Sequence, residues 1–240
     1  MPDQFGPRGT IAIIIPLQNA NIQPEYGTMQ PDGINNQIYR FDISGHNNVA
    51  GAILDAVPGS LLCWPDMIIS AVSLEMHAWS HQQQDGFRAK FAEQAQGTPF
   101  ALATDATEAA LRTLGAKRIG ILAPMSAVNS ESAKAYYEET GFEVPYTTSL
   151  EIKKSEDIIK VTVDQINTGF ETIDHEDVDT ILHVGGALGI VDMIDGLEAR
   201  FGKPVVSVNA ATYWYALRQL GITDRIPGFG QLLMERSIVE

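Results

Sequence analysis

The stretch Thr180-Ile181-Leu182-His183-Val184-Gly185-Gly186-Ala187-Leu188-Gly189 decides how this chain folds. Residues of buried-strand character run straight into paired glycines, and a helical pattern follows over 190–201. In an open parallel sheet, ligands sit where the carboxyl ends of strands meet helix N-termini. Free backbone N–H groups there attract anions, and glycine lets the chain approach a ligand closely. Residues 183–189 are therefore expected to form one wall of a small anion site.

Working outward, the same grammar repeats. Residues 10–16 are a β-branched run closed by Pro16, the pattern of a central parallel strand. A polar loop (17–26) and a Pro31-Asp32-Gly33 turn lead to a second strand over 34–43. A helix is expected over 49–57, stopped by Pro58-Gly59, then a third strand over 67–72 and a long helical stretch ending near Gln96. A short strand at 100–103 precedes a helix with Thr104 or Asp105 as its N-cap. Strand 118–123, helix 126–140, extended segment 142–150 and amphipathic helix 155–172 follow. Strand 179–184, helix 190–201, strand 204–208 and helix 210–220 complete the pattern. Strands alternating with helices give an α/β class with parallel sheets. Ile13-Ile14-Ile15-Pro16 followed by Asn19 echoes Ile121-Leu122-Ala123-Pro124 followed by Asn129. Two similar halves facing each other would place one site between them. The expected division is 1–97 with 209–240 against 98–208.

The totals narrow the partners. A net charge of −14 over 240 residues argues against nucleic acid or an anionic membrane. Cys63 is the single cysteine, which excludes an intrachain disulfide and any cysteine-cluster metal site. The N-terminus lacks a basic head followed by an apolar run, and no apolar stretch is long enough to span a bilayer, so a cytoplasmic location is expected.

Several stretches then resemble one family. Pro16-Leu17-Gln18-Asn19-Ala20-Asn21-Ile22-Gln23-Pro24-Glu25 is similar to the asparagine-bearing loop of maleate isomerases. Residues 106–122 resemble the matching segment of arylmalonate decarboxylases. Gly185-Gly186 falls where that family has a cysteine followed by small residues. Pro204-Val205-Val206-Ser207-Val208-Asn209-Ala210-Ala211-Thr212-Tyr213-Trp214 is similar to its proline-to-tryptophan stretch. The chain is thus identified as similar to the aspartate/glutamate racemase superfamily, in its arylmalonate decarboxylase and maleate isomerase branch. The resemblance implies two Rossmann-like halves about a pseudo-twofold axis, with a cofactor-free site at their interface. It also implies small carboxylate substrates, held by backbone N–H groups and small hydroxyls, with cysteine thiols moving protons or attacking double bonds.

Here the chain departs from that pattern. The second cysteine position is Val184; the first is Val72 by ungapped counting, or Met76 with a gap. Valine can neither transfer a proton nor act as a nucleophile. The family's tyrosine after strand 118–123 is replaced by Met125 or Pro124. The loop after Val72 offers substitutes, Glu75 and His77, as acid/base groups. His77 and His81 lie four apart, which also has metal-ligand spacing. Asn19, Gln18, Ser73, Val72, Val184, Gly185, Gly186, Asn209 and His183 are the expected binding residues, with His46 at a strand exit and Tyr213 as further candidates. The expected function is a cofactor-independent lyase, a decarboxylase or hydratase, acting on a small carboxylic acid through enolate stabilisation. The competing expectations are a non-catalytic small-acid binding protein on the same scaffold, an isomerase, and a metal-assisted hydrolase. A homo-oligomer stays open.

Overall fold

The computed structural model describes residues 4–43, 48–235 and 237–239. The first sheet is built on β1 (Gly9–Pro16), whose isoleucines 11, 13, 14 and 15 are wholly buried. Such a run needs cover on both faces, which a parallel sheet with flanking helices supplies. β1 lies between β2 (Ile34–Phe41) and β3 (Met67–Ser70), and β4 (Phe100–Leu102) closes the order β2-β1-β3-β4, all parallel. The second sheet repeats it: β5 (Arg118–Ala123), β6 (Glu143–Ser149), β7 (Thr180–His183) and β8 (Val205–Ser207) run in the order β6-β5-β7-β8.

The register relates the halves residue by residue. Ile14 pairs with Ser70 in the first sheet, and Leu122 pairs with His183 in the second. One residue on, Ala71 N–H donates to the Ile14 carbonyl (3.2 Å) and Val184 N–H to the Leu122 carbonyl (3.0 Å). The residue equivalent to Val184 is thus Ala71, whereas ungapped counting points to Val72.

The helices between the strands are α1 (Ile22–Thr28), α2 (Val49–Ser60), α3 (His81–Gln94), α4 (Ala103–Thr113), α5 (Ala127–Glu139), α6 (Val163–Glu171), α7 (Ile194–Phe201) and α8 (Val208–Gln219). Helix α8 packs against α1, α4, β3, β4 and β8, so it touches both sheets, and α4 in turn touches β8. Ten of the twelve residues of α8 are buried, the mark of a helix enclosed on every side.

Several expectations change. The strand at 100–102 belongs to the first sheet, so a boundary before residue 98 cuts that sheet. Helix α8, over 208–219, packs on β3 and β4 of the first sheet and on β8 of the second, so it bridges the expected division. Helix α4 starts at Ala103 behind Leu102, so neither Thr104 nor Asp105 caps it. Helix α2 runs through Pro58 to Ser60: the proline sits in the last turn, where little helix is left to break. The segment 155–172 is a 3-10 helix (Ser155–Lys160) and then α6. A capping box divides them, Thr162 Oγ1 accepting from Gln165 N–H and Gln165 Oε1 from Thr162 N–H. Residues 71–72 lie beyond the end of β3, which frees them for the site.

Candidate active site

The loops that leave β1, β3, β5 and β7 meet at the carboxyl ends of both sheets. They line a small pocket with a cavity volume of about 70 Å³. Pro16, Gln18 and Asn19 come from the β1 loop, Ala71, Val72, Ser73, Leu74 and Glu75 from the β3 loop, and Gly185, Gly186 and Ala187 from the β7 loop. Met125, Ser155, Ile158 and Ile43 complete the lining. Seven of the expected site residues therefore converge: Gln18, Asn19, Val72, Ser73, Glu75, Gly185 and Gly186.

The β7 loop presents backbone alone. Its carbonyls are all held: Gly185 O by Leu188 N–H (3.2 Å), Ala187 O by Asn21 Nδ2 (2.7 Å), and Gly186 O by both Asn19 Nδ2 (3.1 Å) and Asn209 Nδ2 (2.9 Å). The N–H groups of residues 185–187 have no acceptor among the described residues. Consecutive unclaimed N–H groups on residues that line a pocket are the chemistry that can hold an oxyanion or carboxylate. Glycine is required twice. Gly185 has φ +91°, and a Cβ there would stand 2.5 Å from Leu74 Cδ1; a Cβ on Gly186 would collide with the Asn209 amide.

The β3 loop presents side chains. Ser73 is buried and its hydroxyl has no partner among the described residues; the Gln18 Oε1 atom is likewise buried and unpaired. Unsatisfied buried polar atoms are costly, and a bound acid with its hydration would satisfy them. Glu75 is the sole ionisable side chain in the lining among the described residues. Burial raises its pKa, countered only by a hydrogen bond to its own backbone. It therefore keeps a proton to higher pH than a solvated carboxylic acid.

The remaining expectations are corrected. His77 is buried between Tyr136 and Tyr137, ring centroids 5.2 and 5.3 Å away, with Nε2 3.3 Å from the Tyr137 hydroxyl. It does not line the pocket, and burial pushes its pKa down to about 3, so it is neutral. Ser80 and Gln83 form a capping box that starts α3 at His81, leaving His77 in a preceding 3-10 turn. The two histidines thus share no helix face. His81 is exposed beside Glu139 (2.9 Å). No group of three or more metal-ligating side chains forms among the described residues. His183 is fully buried with both ring nitrogens unpaired, pushed down to about 3, and it lies outside the lining. Val184 is buried in the core behind Gly185, so Val72 and Val184 do not face each other across the pocket. Asn209 stands behind the β7 loop and touches the pocket only through Gly186. Tyr213 stacks on Tyr26 (4.7 Å) away from the pocket. Cys63 is exposed beside Tyr39 and Leu62 on another face. His46 lies outside the described residues.

One residue that the sequence reading passes over is Glu25 on α1. Its Oε1 accepts from Ile190 N–H (2.6 Å) and Val191 N–H (2.9 Å), and its Oε2 accepts from Asn209 Nδ2 (2.5 Å). Burial pushes its pKa up to about 7, against the pull of those donors. Ile22, Glu25, Tyr26 and Met29 fall at the spacing of one buried helix face, so an acid in that series is a sequence signal for a buried carboxylate.

The sequence model described as arylmalonate decarboxylase matches residues 69–233. The chain is 27% identical to the maleate isomerase of Nocardia farcinica over 130 residues, 54% of this chain and 52% of that protein. It is 31% identical to the arylmalonate decarboxylase of Bordetella bronchiseptica over 147 residues, 59% of this chain and 60% of that protein. The chain thus matches about half the length of these curated relatives. In three dimensions it resembles a Nocardia farcinica maleate cis-trans isomerase variant carrying a covalently bound succinylcysteine intermediate. The TM-score is 0.84 at 19% identity, covering 94% of this chain and 98% of that one, which is a shared fold.

Proposed function

The chain belongs to the arylmalonate decarboxylase family, and on that premise we propose that it is an enzyme of small carboxylic acids that works through Glu75. The observation that carries this reading is the pairing of one proton mover, Glu75, with a wall of free backbone donors at residues 185–187. The substrate carboxylate lies against those donors and the Ser73 hydroxyl, held by neutral groups, since no cation among the described residues lines the pocket. The related isomerase structure carries a cysteine adduct, whereas Cys63 here lies on another face. A thiol-free route is therefore favoured.

Decarboxylation fits one proton mover best. The bond from the α-carbon to one carboxylate breaks, CO₂ leaves, and the electron pair passes into an enediolate. The fixed N–H groups hold its charge without reorganising, which is where most such stabilisation originates. Glu75, as the carboxylic acid, delivers its proton to the α-carbon, and solvent returns one to Glu75. Racemisation by two bases would require a second proton mover on the opposite face of the carbon.

The test is turnover on a panel of substituted malonates and unsaturated diacids, followed by NMR of the products. The wild type is expected to release CO₂ from a malonate; E75Q is expected to lose roughly 10²–10⁴-fold in kcat, the range for a general acid. Unchanged turnover by E75Q would overturn the assignment. Tight binding with no turnover across the whole panel would favour a binding protein on this scaffold.

A further inference from the structure

We propose that Glu25 is a positioning residue that, together with Asn209, fixes the backbone of residues 185–187 with its carbonyls turned away from the pocket and its N–H groups turned into it. This rests on the reading of that strip as the anion-holding wall. A glycine-rich loop has no side chains to set its orientation, and glycine makes both peptide orientations accessible. Something outside the loop must therefore choose one.

The choice is visible in the hydrogen bonds. Gly186 O receives two amide donors, one from the loop after β1 and one from α8: Asn19 Nδ2 (3.1 Å) and Asn209 Nδ2 (2.9 Å). Each amide is itself oriented. Asn19 Oδ1 accepts from Asn21 N–H (3.1 Å) and Ile22 N–H (3.0 Å), which directs its Nδ2 at the loop. Asn209 donates to Glu25 Oε2 (2.5 Å) with the same Nδ2. A carboxylate can only accept, so Glu25 forces the amino end of Asn209 toward itself and toward Gly186 O. Its other oxygen holds the N–H groups of Ile190 and Val191, three to four residues past the strip. Glu25 thus pins both the middle of the loop, through Asn209, and its exit, directly.

The pin also joins the halves. Glu25 and Asn19 come from the β1 side, while residues 185–191 follow β7. Burial raises the Glu25 pKa to about 7, so the carboxylate loses its acceptor character within the physiological range. Burial sets most of this titration; the Val191, Asn209 and Ile190 donors lower it, and the charge of Asp192 raises it.

The experiment uses the full chain, with malonate as probe. Backbone ¹⁵N resonances of residues 185–187 are recorded for the wild type, E25Q and N209A, without and with malonate, from pH 6 to 8.5. In E25Q the new carboxamide would direct an N–H at Asn209 Nδ2 and force that amide to turn over. The free E25Q and N209A proteins are therefore expected to shift the amides of 185–187, and to bind malonate about tenfold more weakly. The wild-type amides are expected to titrate near pH 7, and those of E25Q to stay constant. Should E25Q merely fail to fold, the same readout on N209A decides. Amides of 185–187 unmoved in the free variants, with only thermal stability lowered, would reduce Glu25 to a structural role and overturn the proposal. If the wild type fails to bind malonate, the reading of the site fails for that ligand. The amide shifts in the free variants still decide the role of Glu25.

Discussion

The loops after β3 and β7 occupy equivalent places in the two halves, yet they do opposite work. Register makes Ala71 the counterpart of Val184, and each loop begins with the next residue. The β3 loop turns a hydroxyl and a carboxyl into the pocket, whereas the β7 loop offers only peptide N–H groups. On the proposed reading, the two halves of a repeated scaffold divide the work, one moving a proton and the other holding charge.

The sharpest way to break that contrast is E75Q, which removes the proton mover and leaves the β7 wall intact. The expected loss is roughly 10²–10⁴-fold in kcat with little change in binding of a non-reacting acid, read from turnover and calorimetry. G185A attacks the other side. Gly185 has φ +91° and faces Leu74 and Pro124, so alanine adds both strain and a collision. The expected cost is about 1–3 kcal/mol in a denaturant titration, with weakened malonate binding. S73A removes one neutral donor and should weaken malonate binding roughly fivefold, equivalent to about 1 kcal/mol, while leaving stability close to wild type.

The smallest effect concerns buried bases and acid. His77 and His183 are held neutral, from an ordinary value of 6.5 down to about 3. The unfolded chain takes up their protons first, so stability falls as pH drops through that window. Glu25 acts in the opposite sense: its pKa is raised from 4.5 to about 7, so its contribution to stability falls as pH rises between those values. H183L is expected to flatten the acid limb of urea titrations by up to one proton's worth of slope. An unchanged acid limb would show that His183 does not couple to unfolding.

The sequence made the strands and their exits legible because β-branched runs closed by prolines leave few alternatives. Residues 118–123 match β5, and the loops at Pro16, Ser73 and Gly185 converge as expected. Side-chain roles were harder. Glu75 and His77 lie two apart in one loop, yet the 3-10 turn sends one to the pocket and the other between two tyrosines. His183 and Val184 occupy the end of a strand whose next residue lines the site, but both point into the core. Asn209 and Glu25 act across sequence separations of 23 and 165 residues, and local pattern carries no trace of such partners. The equivalence of Ala71 with Val184 needed the hydrogen-bond register, which no count from Asp66 supplies.

Helix α8 is made about a hundred residues after β4, yet it packs on β3 and β4. A ribosome therefore exposes the first sheet well before its cover exists. That sheet must wait, with apolar surface open, until some hundred further residues have emerged, roughly 5–20 s at ordinary elongation rates. Nascent chains of this protein should accordingly be sensitive to chaperone supply in a way that the finished molecule is not.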